Sequence, residues 1–378
     1  MLRNKKFLAA LLVVSASLWP SQAHALTIPE SFIKYAQSPI LAEPGILLVD
    51  PVTSETVYQS APDSLRAPAS VMKLLSATLA STVLNLDSSF ATTISKTSEP
   101  DRFTLLGEFD PWLTLSPYEA RKYKAALLPS LINRAIKESP SAKRIVIDYY
   151  GLYDSDLEAL KKYFKKRVYL SINKFSSMES IQSKSIEPLE TITSPKISDI
   201  LKFTLLWSDN TKADRLARLS ARSLGYTADA FGIQQAIEAT FPQLGISTTG
   251  LEVYDGAGLD KFNKVSVRTV AQLLVRIKGD PKYAAIVDGL PVAGESGTLR
   301  NRYKEVAQSA AGLVRAKTGW INGTVSLAGY VNVGEEEYVF VVIADHVKPT
   351  EPRRKAARET IDKMLATIAR PSPAPQSD

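Results

Sequence analysis

A serine and a lysine three positions apart open an apolar stretch of the chain. In RAPASVMKLLSA, residues 66–77, Ser70 precedes Lys73 with two residues between them. On a helix this spacing puts both side chains on one face, within reach of each other. A serine hydroxyl is a poor nucleophile until a base takes its proton, and an uncharged lysine amine can take it. Burial and a neighbouring cation both lower the pKa of a lysine, so Ser70 and Lys73 are a candidate nucleophile and base.

A second motif, Ser208-Asp209-Asn210, supplies groups that such a pair needs. The hydroxyl of Ser208 is suited to relay a proton between the base and the leaving group. The amide of Asn210 is suited to orient Lys73 and the backbone of a substrate. We therefore interpret Ser208 as catalytic and Asn210 as substrate-binding.

A third motif, Lys317-Thr318-Gly319, lies on a predicted strand, and its three letters occur once in the chain. Lys317 supplies the second cation and Thr318 a hydroxyl, and both groups suit a terminal carboxylate. Gly319 would let a substrate strand lie close to the edge of the sheet. The backbone N–H groups of Ser70, at a helix start, and of Trp320 are candidates for an oxyanion hole.

The serine–lysine spacing occurs twice more, at Ser31 with Lys34 and at Ser171 with Lys174. The first copy lies in a segment with little else to hold it. The second lies in the strand-like sequence RVYLSI, where positions i and i+3 point to opposite faces. Only Ser70 opens a stretch that is apolar nearly all round, as buried helices are. We therefore prefer Ser70 as the nucleophile.

Composition excludes several other kinds of chemistry. The chain contains no cysteine, which excludes disulfides, a thiol nucleophile, thiolate metal sites and a lipid-modified cysteine anchor. Its two histidines are His24 and His346, which argues against a histidine-based zinc site and a Ser-His-Asp hydrolase. No Gly-x-Ser-x-Gly elbow occurs. We expect neither a metal nor a cofactor.

The first 25 residues are typical of an export signal. A cationic start at residues 3–6 precedes a short apolar run and a small-x-small site that ends at Ala25. A membrane anchor is the weaker alternative, because spanning takes about 20 apolar residues. Since no later stretch is long and apolar enough to span, we expect a soluble protein of the periplasm, cell envelope or extracellular space.

The formal charge of +7 includes three cations in this segment and no anion, so the remainder carries 7 − 3 = +4. The basic residues are scattered among acids, which gives nucleic-acid binding little support. An anionic substrate or envelope polymer is compatible with this charge.

The two ends of the chain both predict strands. Residues 45–60 read as two strands joined by a turn, and residues 313–345 as three strands with turns at 321–323 and 334–337. Tight turns favour antiparallel pairing. The pattern predicts an α+β fold in which one antiparallel sheet, built from both chain ends, is flanked by helices that include one over 351–370.

The middle of the chain has a different character. Strand-like KRIVIDYYGLY and RVYLSI flank an amphipathic helix with Ser155 as its expected N-cap. An earlier helical stretch is interrupted near Pro129. We predict an export signal over 1–25, a main domain over 26–95 and 195–370, an inserted α/β module over 96–194, and a disordered Pro-rich tail over 371–378.

Together the motifs resemble a known family. With YDGAGLDKFNKVSVRTVAQLL (254–274) and PVAGESGTLRNRY (291–303) between the second and third motifs, the sequence is similar to the D-alanyl-D-alanine carboxypeptidase/endopeptidase family. These are the class C low-molecular-mass penicillin-binding proteins. The resemblance covers about residues 45–110 and 190–345, and GEFDPWLT (107–114) is similar to the family's Gly-rich Asp-Pro segment.

The resemblance implies a serine β-lactamase/DD-peptidase-like fold and hydrolysis of peptidoglycan stem peptides ending in D-Ala-D-Ala. It also implies covalent inhibition by β-lactams. Carried over by position, Ser70 is the acylated nucleophile and Lys73 its base. Ser208 and Asn210 complete the second motif. Lys317 and Thr318, next to Gly319, would bind the substrate carboxylate.

The sequence departs from the family pattern in three places. The insertion is shorter than usual. Ala257 stands where a serine is common, and the bulky Trp320 follows the third motif. We interpret Asp255 and Gly256 mainly as a turn, with a catalytic part as the alternative.

Two other functions stay open. A serine β-lactamase shares the three motifs, but the Glu-x-x-Leu-Asn signature of class A enzymes is absent after Asn210. A non-catalytic wall-binding protein would tolerate the loss of Ser70, Lys73 or Lys317, and all three are present. The motifs leave the balance between carboxypeptidase and endopeptidase activity open.

Overall fold

Strands from the two ends of the described chain meet in one sheet. The computed structural model describes residues 26–373. Its first sheet has the order β2-β1-β10-β9-β8, with every neighbouring pair antiparallel. Its strands are β1 (Gly45–Val49), β2 (Thr56–Ser60), β8 (Val314–Ile321), β9 (Thr324–Val333) and β10 (Glu336–Ala344). The predicted antiparallel sheet is confirmed, and its tight turns contain Gly323 and Gly334, both at positive φ.

Side chains alternate between the two faces of this sheet. On β1, Leu47 and Val49 belong to one buried cluster, and Ile46 and Leu48 belong to the other. The first cluster takes in most of the helices, and the second takes in the first and last helices. The helices around the sheet are α1 (Glu30–Ala36), α2 (Met72–Val83), α7 (Ile197–Trp207), α8 (Asn210–Ser223), α9 (Ala230–Thr240), α10 (Val267–Ile277), α11 (Ala284–Asp288) and α12 (Glu351–Ala366).

A second sheet, with the order β6-β5-β4-β3-β7 and its own core, occupies the middle of the chain. Its elements are β3 (Ala91–Lys96), β4 (Arg102–Leu106), α3 (Pro117–Tyr123), α4 (Leu128–Glu138), β5 (Arg144–Tyr150), α5 (Asp154–Phe164), β6 (Tyr169–Lys174), α6 (Met178–Gln182) and β7 (Glu187–Thr193). The strands β4, β5 and β6 are parallel, which is the α/β arrangement expected from the sequence. This sheet begins at Ala91, upstream of the predicted boundary at residue 96.

Three local predictions differ from the structure. Ser155 is not the N-cap of α5, because the extended backbone of Tyr153 starts the helix earlier, and Tyr153 makes no side-chain cap. The segment around Ser31 is well held, since Phe32 of α1 is buried and meets the Tyr58 ring edge-on. The last helix ends at Ala366 rather than Arg370, whose backbone N–H donates to Asn332.

Two further predictions concern the ends of the chain. Of the predicted disordered tail, Ser372 donates a hydrogen bond to the Gly334 carbonyl. Residues 374–378 and the predicted export signal over 1–25 lie outside the described residues. None of the helices within residues 26–373 has the length and apolarity that a membrane crossing requires.

Candidate active site

Ser70 lies in a short 3-10 turn, Ala69–Val71, that runs directly into α2. The helix is buried on nearly every side, as its apolar sequence predicted. Lys73, one turn after Ser70, is 0% exposed, while Ser70 is 9% exposed. The turn therefore presents the hydroxyl at the surface of the core and keeps the amine beneath it.

The Lys73 amine lies among three oxygen atoms. Its Nζ is 2.8 Å from Ser70 Oγ, the spacing that the first motif predicted. It also donates to Asn210 Oδ1 at 2.7 Å and to the Ala257 carbonyl at 2.7 Å. Burial lowers the pKa of Lys73 to about 8, although the carboxylates of Asp255 and Asp209 act in the opposite direction. Roughly a tenth of this amine is therefore uncharged at pH 7, and this fraction rises with pH.

The second motif forms the junction of two helices. Ser208 ends α7 in the left-handed conformation, with φ at 59°. Asp209 then begins α8 as its N-cap, and its side chain accepts from the backbone N–H of Lys212. This sharp reversal directs Ser208 and Asn210 to the same place, so that Asn210 reaches Lys73 while Ser208 reaches the third motif.

Lys317 lies on β8 and is 0% exposed. Its Nζ donates to Ser208 Oγ at 2.9 Å and to the Thr318 carbonyl at 2.8 Å. Burial holds the pKa of Lys317 well below its usual value, and the nearby charge of Lys73 lowers it further. The sequence predicts a second cation beside Lys73, and repulsion between the two buried amines opposes the charged form of each.

Gly319 permits a close approach within the chain itself. A Cβ at this position would lie 2.1 Å from Ser326 Oγ, 2.9 Å from the Pro68 carbonyl and 3.1 Å from the Ser70 backbone nitrogen. The sequence predicts that the missing side chain makes room for a substrate strand. The structure uses that space to bring the Ser70 turn against β8.

Trp320 follows Gly319 on β8, and its side chain is 49% exposed. The guanidinium groups of Arg354 and Arg358, both on α12, lie 4.8 and 5.7 Å from the centre of its ring. The ring is therefore held against α12, while its backbone remains part of the strand beside Ser70.

Sequence reasoning missed two contributors to this site. The Ala257 carbonyl is an acceptor for Lys73, and a backbone carbonyl leaves no residue-type signal. Thr298 shares a hydrogen bond of 2.8 Å with Thr318, which adds a second hydroxyl beside the third motif. Thr298 lies within residues 291–303, one of the segments that carry the family resemblance.

The duplicate serine–lysine motifs form no such pair. Ser171 accepts a hydrogen bond from Arg144, whereas Lys174 pairs with Asp154 at 2.8 Å. Ser31 and Lys34 are both exposed on α1. Within residues 26–373, no group of three or more His, Asp or Glu side chains is arranged to hold a metal ion.

A cleft of about 560 Å³ continues from this site between α8 and the second sheet. Asn210 and Ala257, which both contact Lys73, line this cleft together with Tyr153. Ser70 and Lys73 do not line this cleft, which therefore adjoins the reactive pair through Asn210 and Ala257.

Residues 30–123 and 161–368 of the chain match the D-Ala-D-Ala carboxypeptidase 3 (S13) family. The chain belongs to this family. This confirms the resemblance drawn from the three motifs, and the match covers both the helices and the strands that carry them.

Curated relatives are similar to the chain over part of their length. The chain is 36% identical over 192 residues to a D-alanyl-D-alanine carboxypeptidase of Actinomadura sp., covering 48% of this chain and 34% of that protein. It is 34% identical over 166 residues to carboxypeptidase DacB of Mycolicibacterium smegmatis, covering 43% and 35%. The matched region thus spans about a third of the length of these relatives.

Solved structures share the fold. Penicillin binding protein 4 from Haemophilus influenzae superposes with a TM-score of 0.66 at 16% identity, covering 86% of this chain and 95% of that one. A predatory peptidoglycan endopeptidase from Bdellovibrio bacteriovorus gives 0.61 at 17% identity, covering 88% and 95%. These likenesses establish the predicted α+β fold.

Proposed function

We propose that this protein is a serine-type D-alanyl-D-alanine peptidase that hydrolyses peptidoglycan stem peptides through an acyl-enzyme on Ser70. β-Lactams acylate the same hydroxyl. The observation that supports this proposal most strongly is the 2.8 Å contact between Lys73 Nζ and Ser70 Oγ in a buried setting. Membership of a carboxypeptidase family supplies the reaction class.

In the acylation step, the uncharged Lys73 amine takes the Ser70 proton while Oγ attacks the carbonyl carbon of the scissile amide. The backbone N–H groups of Ser70 and Trp320 stabilise the oxyanion that forms. The proton then passes through Ser208 to the nitrogen of the departing D-alanine, and the amide C–N bond breaks. Lys317, which contacts Ser208 at 2.9 Å, and Thr318 hold the terminal carboxylate.

In the deacylation step, water attacks the ester carbonyl of the acyl-enzyme. Lys73 accepts a proton from this water and returns it to Ser70 Oγ as the ester C–O bond breaks. The products are a shortened peptide and free enzyme. The same groups thus act as base in one direction and acid in the other.

Labelling with a fluorescent penicillin tests this function directly. The folded protein should acquire a covalent label that survives denaturation, and Ser70→Ala should abolish it. Ser31→Ala and Ser171→Ala are matched controls, because each removes a serine with the same spacing to a lysine, and both should label normally. Failure of the folded wild-type protein to label would remove the enzyme proposal and favour a wall-binding protein.

Two further measurements define the activity. Slow release of the bound drug distinguishes the peptidase from a β-lactamase, which would turn the drug over rapidly. Digestion of purified peptidoglycan, followed by mass analysis of the fragments, separates loss of single D-alanine residues from cleavage of cross-links.

We also propose that the protein acts in the cell envelope, where its substrate lies. The cationic and apolar pattern of residues 1–25 supports export. Sequencing the N-terminus of the protein from an envelope fraction tests this. A first residue at Leu26 is expected, and a retained leader would contradict cleavage after Ala25.

A further inference from the structure

The loop over residues 255–260 is organised around one carboxylate. Asp255 accepts hydrogen bonds from the backbone N–H groups of all four residues 257–260, at 2.7 Å for Ala257 and 2.6 Å for Asp260. The Asn263 side chain donates a fifth at 3.2 Å. Burial raises the pKa of Asp255, but the N–H bonds outweigh burial and leave its pKa below the usual value. The carboxylate is therefore charged and fixes the path of the loop.

This loop is seated on both members of the reactive pair. The Ala257 carbonyl accepts from Lys73 Nζ at 2.7 Å. Gly258 has φ of +78°, and a Cβ there would lie 1.9 Å from the carbonyl of Ala69, the residue before Ser70. Its backbone therefore packs directly on the serine turn.

Two more contacts fasten the loop to the helices of the site. Ser76, on α2, donates to the Gly256 carbonyl at 2.6 Å. The Gly256 N–H donates to Asp214, on α8, at 2.9 Å. The loop thus joins the helix that carries Lys73 to the helix that carries Asn210.

The donors and the lone pair of the Lys73 amine show what the loop contributes. An uncharged amine has two N–H donors and one lone pair. The Ala257 carbonyl and Asn210 Oδ1 can only accept, so they take both donors. The lone pair is then left for the Ser70 hydroxyl. Without the Ala257 carbonyl, the amine is free to turn an N–H toward Ser70, and that orientation cannot remove a proton.

The charges around Lys73 are few. The carboxylates of Asp255 and Asp209 favour its ammonium form, and burial opposes them. Lys317 is the neighbouring cation, and its own pKa is lowered by Lys73. The Asp255 charge is therefore one of two that keep the amine basic enough to hold a proton once it has taken it.

We propose that Asp255 is a positioning residue of the reaction, which holds the Ala257 carbonyl on Lys73 so that the amine lone pair faces Ser70. This role rests on the proposed function. Asp255-Gly256 is then part of the catalytic arrangement rather than a simple turn. The hydrogen bonds accepted by Asp255 come from residues 257–260 and Asn263 rather than from Ser70 or Lys73.

The test is the rate of acylation by a penicillin as a function of pH, for the wild-type protein and Asp255→Asn. At high pH, where the acylation rate reaches its plateau, the variant should react about 100-fold more slowly than the wild type. A small misplacement of a reacting group produces a loss of this order. The part of its pH profile where the acylation rate rises, the rising limb, should also move to lower pH, because removal of the negative charge lowers the pKa of Lys73. A merely structural role would lower the plateau and leave the limb in place.

Asp260→Asn is the matched control, since it removes a carboxylate from the same loop that accepts from the Phe262 N–H. Its plateau and limb should match the wild type. Ser76→Ala is the second variant, which loosens the loop without changing charge, so its plateau should fall while its limb stays in place.

An Asp255→Asn variant with the wild-type acylation rate and the wild-type rising limb would overturn the positioning role. A rising limb shifted equally in Asp260→Asn would also overturn it. If Asp255→Asn does not fold, a wild-type plateau in Ser76→Ala overturns the role by itself. Absence of acylation in the wild-type protein would instead overturn the proposed function, and the positioning role with it.

Discussion

The guanidinium of Arg215 and the carboxylate of Asp156 meet at 2.6 Å and join α8, the helix of the second motif, to α5 of the second sheet. Both side chains are only about a tenth exposed, at 9% and 11%. The Arg215 guanidinium also lies 4.0 Å from the centre of the Tyr153 ring. The helix that begins at Asn210 is thus joined to the second sheet's α5 by a largely buried ion pair.

Asp156→Ala should lower the free energy of unfolding by about 3–5 kcal/mol, because it leaves the Arg215 charge buried without a partner. Urea denaturation measures this change. Glu158→Ala is the control, since its pair with Lys161 is exposed and worth about 0–1 kcal/mol. Equal losses of unfolding free energy in the two variants would show that the Arg215–Asp156 pair stabilises the fold no more than an exposed pair does.

Acylation should become faster as the pH rises through about 8, the pKa to which burial lowers Lys73. The sign follows from the mechanism, because only the uncharged amine can take the Ser70 proton, and it is charged below its pKa. Stopped-flow measurement of penicillin acylation gives the profile. A rate that is flat or falls across this range would show that another group is the base.

Lys317→Met should reduce kcat/KM for a peptide with a free terminal carboxylate by roughly 10- to 100-fold. A bound carboxylate favours the charged form of Lys317, against the effect of burial, and the variant loses the resulting hydrogen bond. The methionine fills a similar buried volume without an amine. A peptide whose C-terminus is amidated is the control substrate and should lose less. An equal loss for both peptides would place Lys317 in proton transfer rather than in carboxylate recognition.

Gly319→Ala should slow acylation by about 100-fold, because the added methyl group pushes the Ser70 turn away from β8. The nearest atom to that methyl group is Ser326 Oγ, at 2.1 Å. The double variant Gly319→Ala with Ser326→Ala removes this atom and should recover part of the rate. Unchanged acylation in the single variant would show that the close approach is not required.

The sequence was most informative where chemistry depends on side-chain type and order. The pairing of Ser70 with Lys73, the choice of Ser70 over Ser171 and the sheet built from both chain ends all followed from spacing and periodicity. Each of these features leaves a pattern in the letters, because a helix face, a strand and a tight turn have characteristic periods. The choice of Ser70 over Ser31 rested on a poorly held segment around Ser31, and that expectation was wrong.

The features that sequence reasoning missed depend on tertiary contacts. The Ala257 carbonyl reaches Lys73 from 184 positions along the chain, and any residue carries a carbonyl. The role of Gly319 became clear only when Ser326 and the Ser70 turn were placed beside it. The start of α5 was missed because a serine at a helix start is a preference, and the backbone of Tyr153 decided the boundary.

The most direct test of the central claim is to treat the protein with a penicillin, digest it and locate the adduct by mass spectrometry. The wild-type protein should carry one adduct, on Ser70, and folded Lys73→Met should carry none because its hydroxyl has lost the base 2.8 Å away. An adduct on any other residue, or an undiminished adduct in Lys73→Met, would contradict the account.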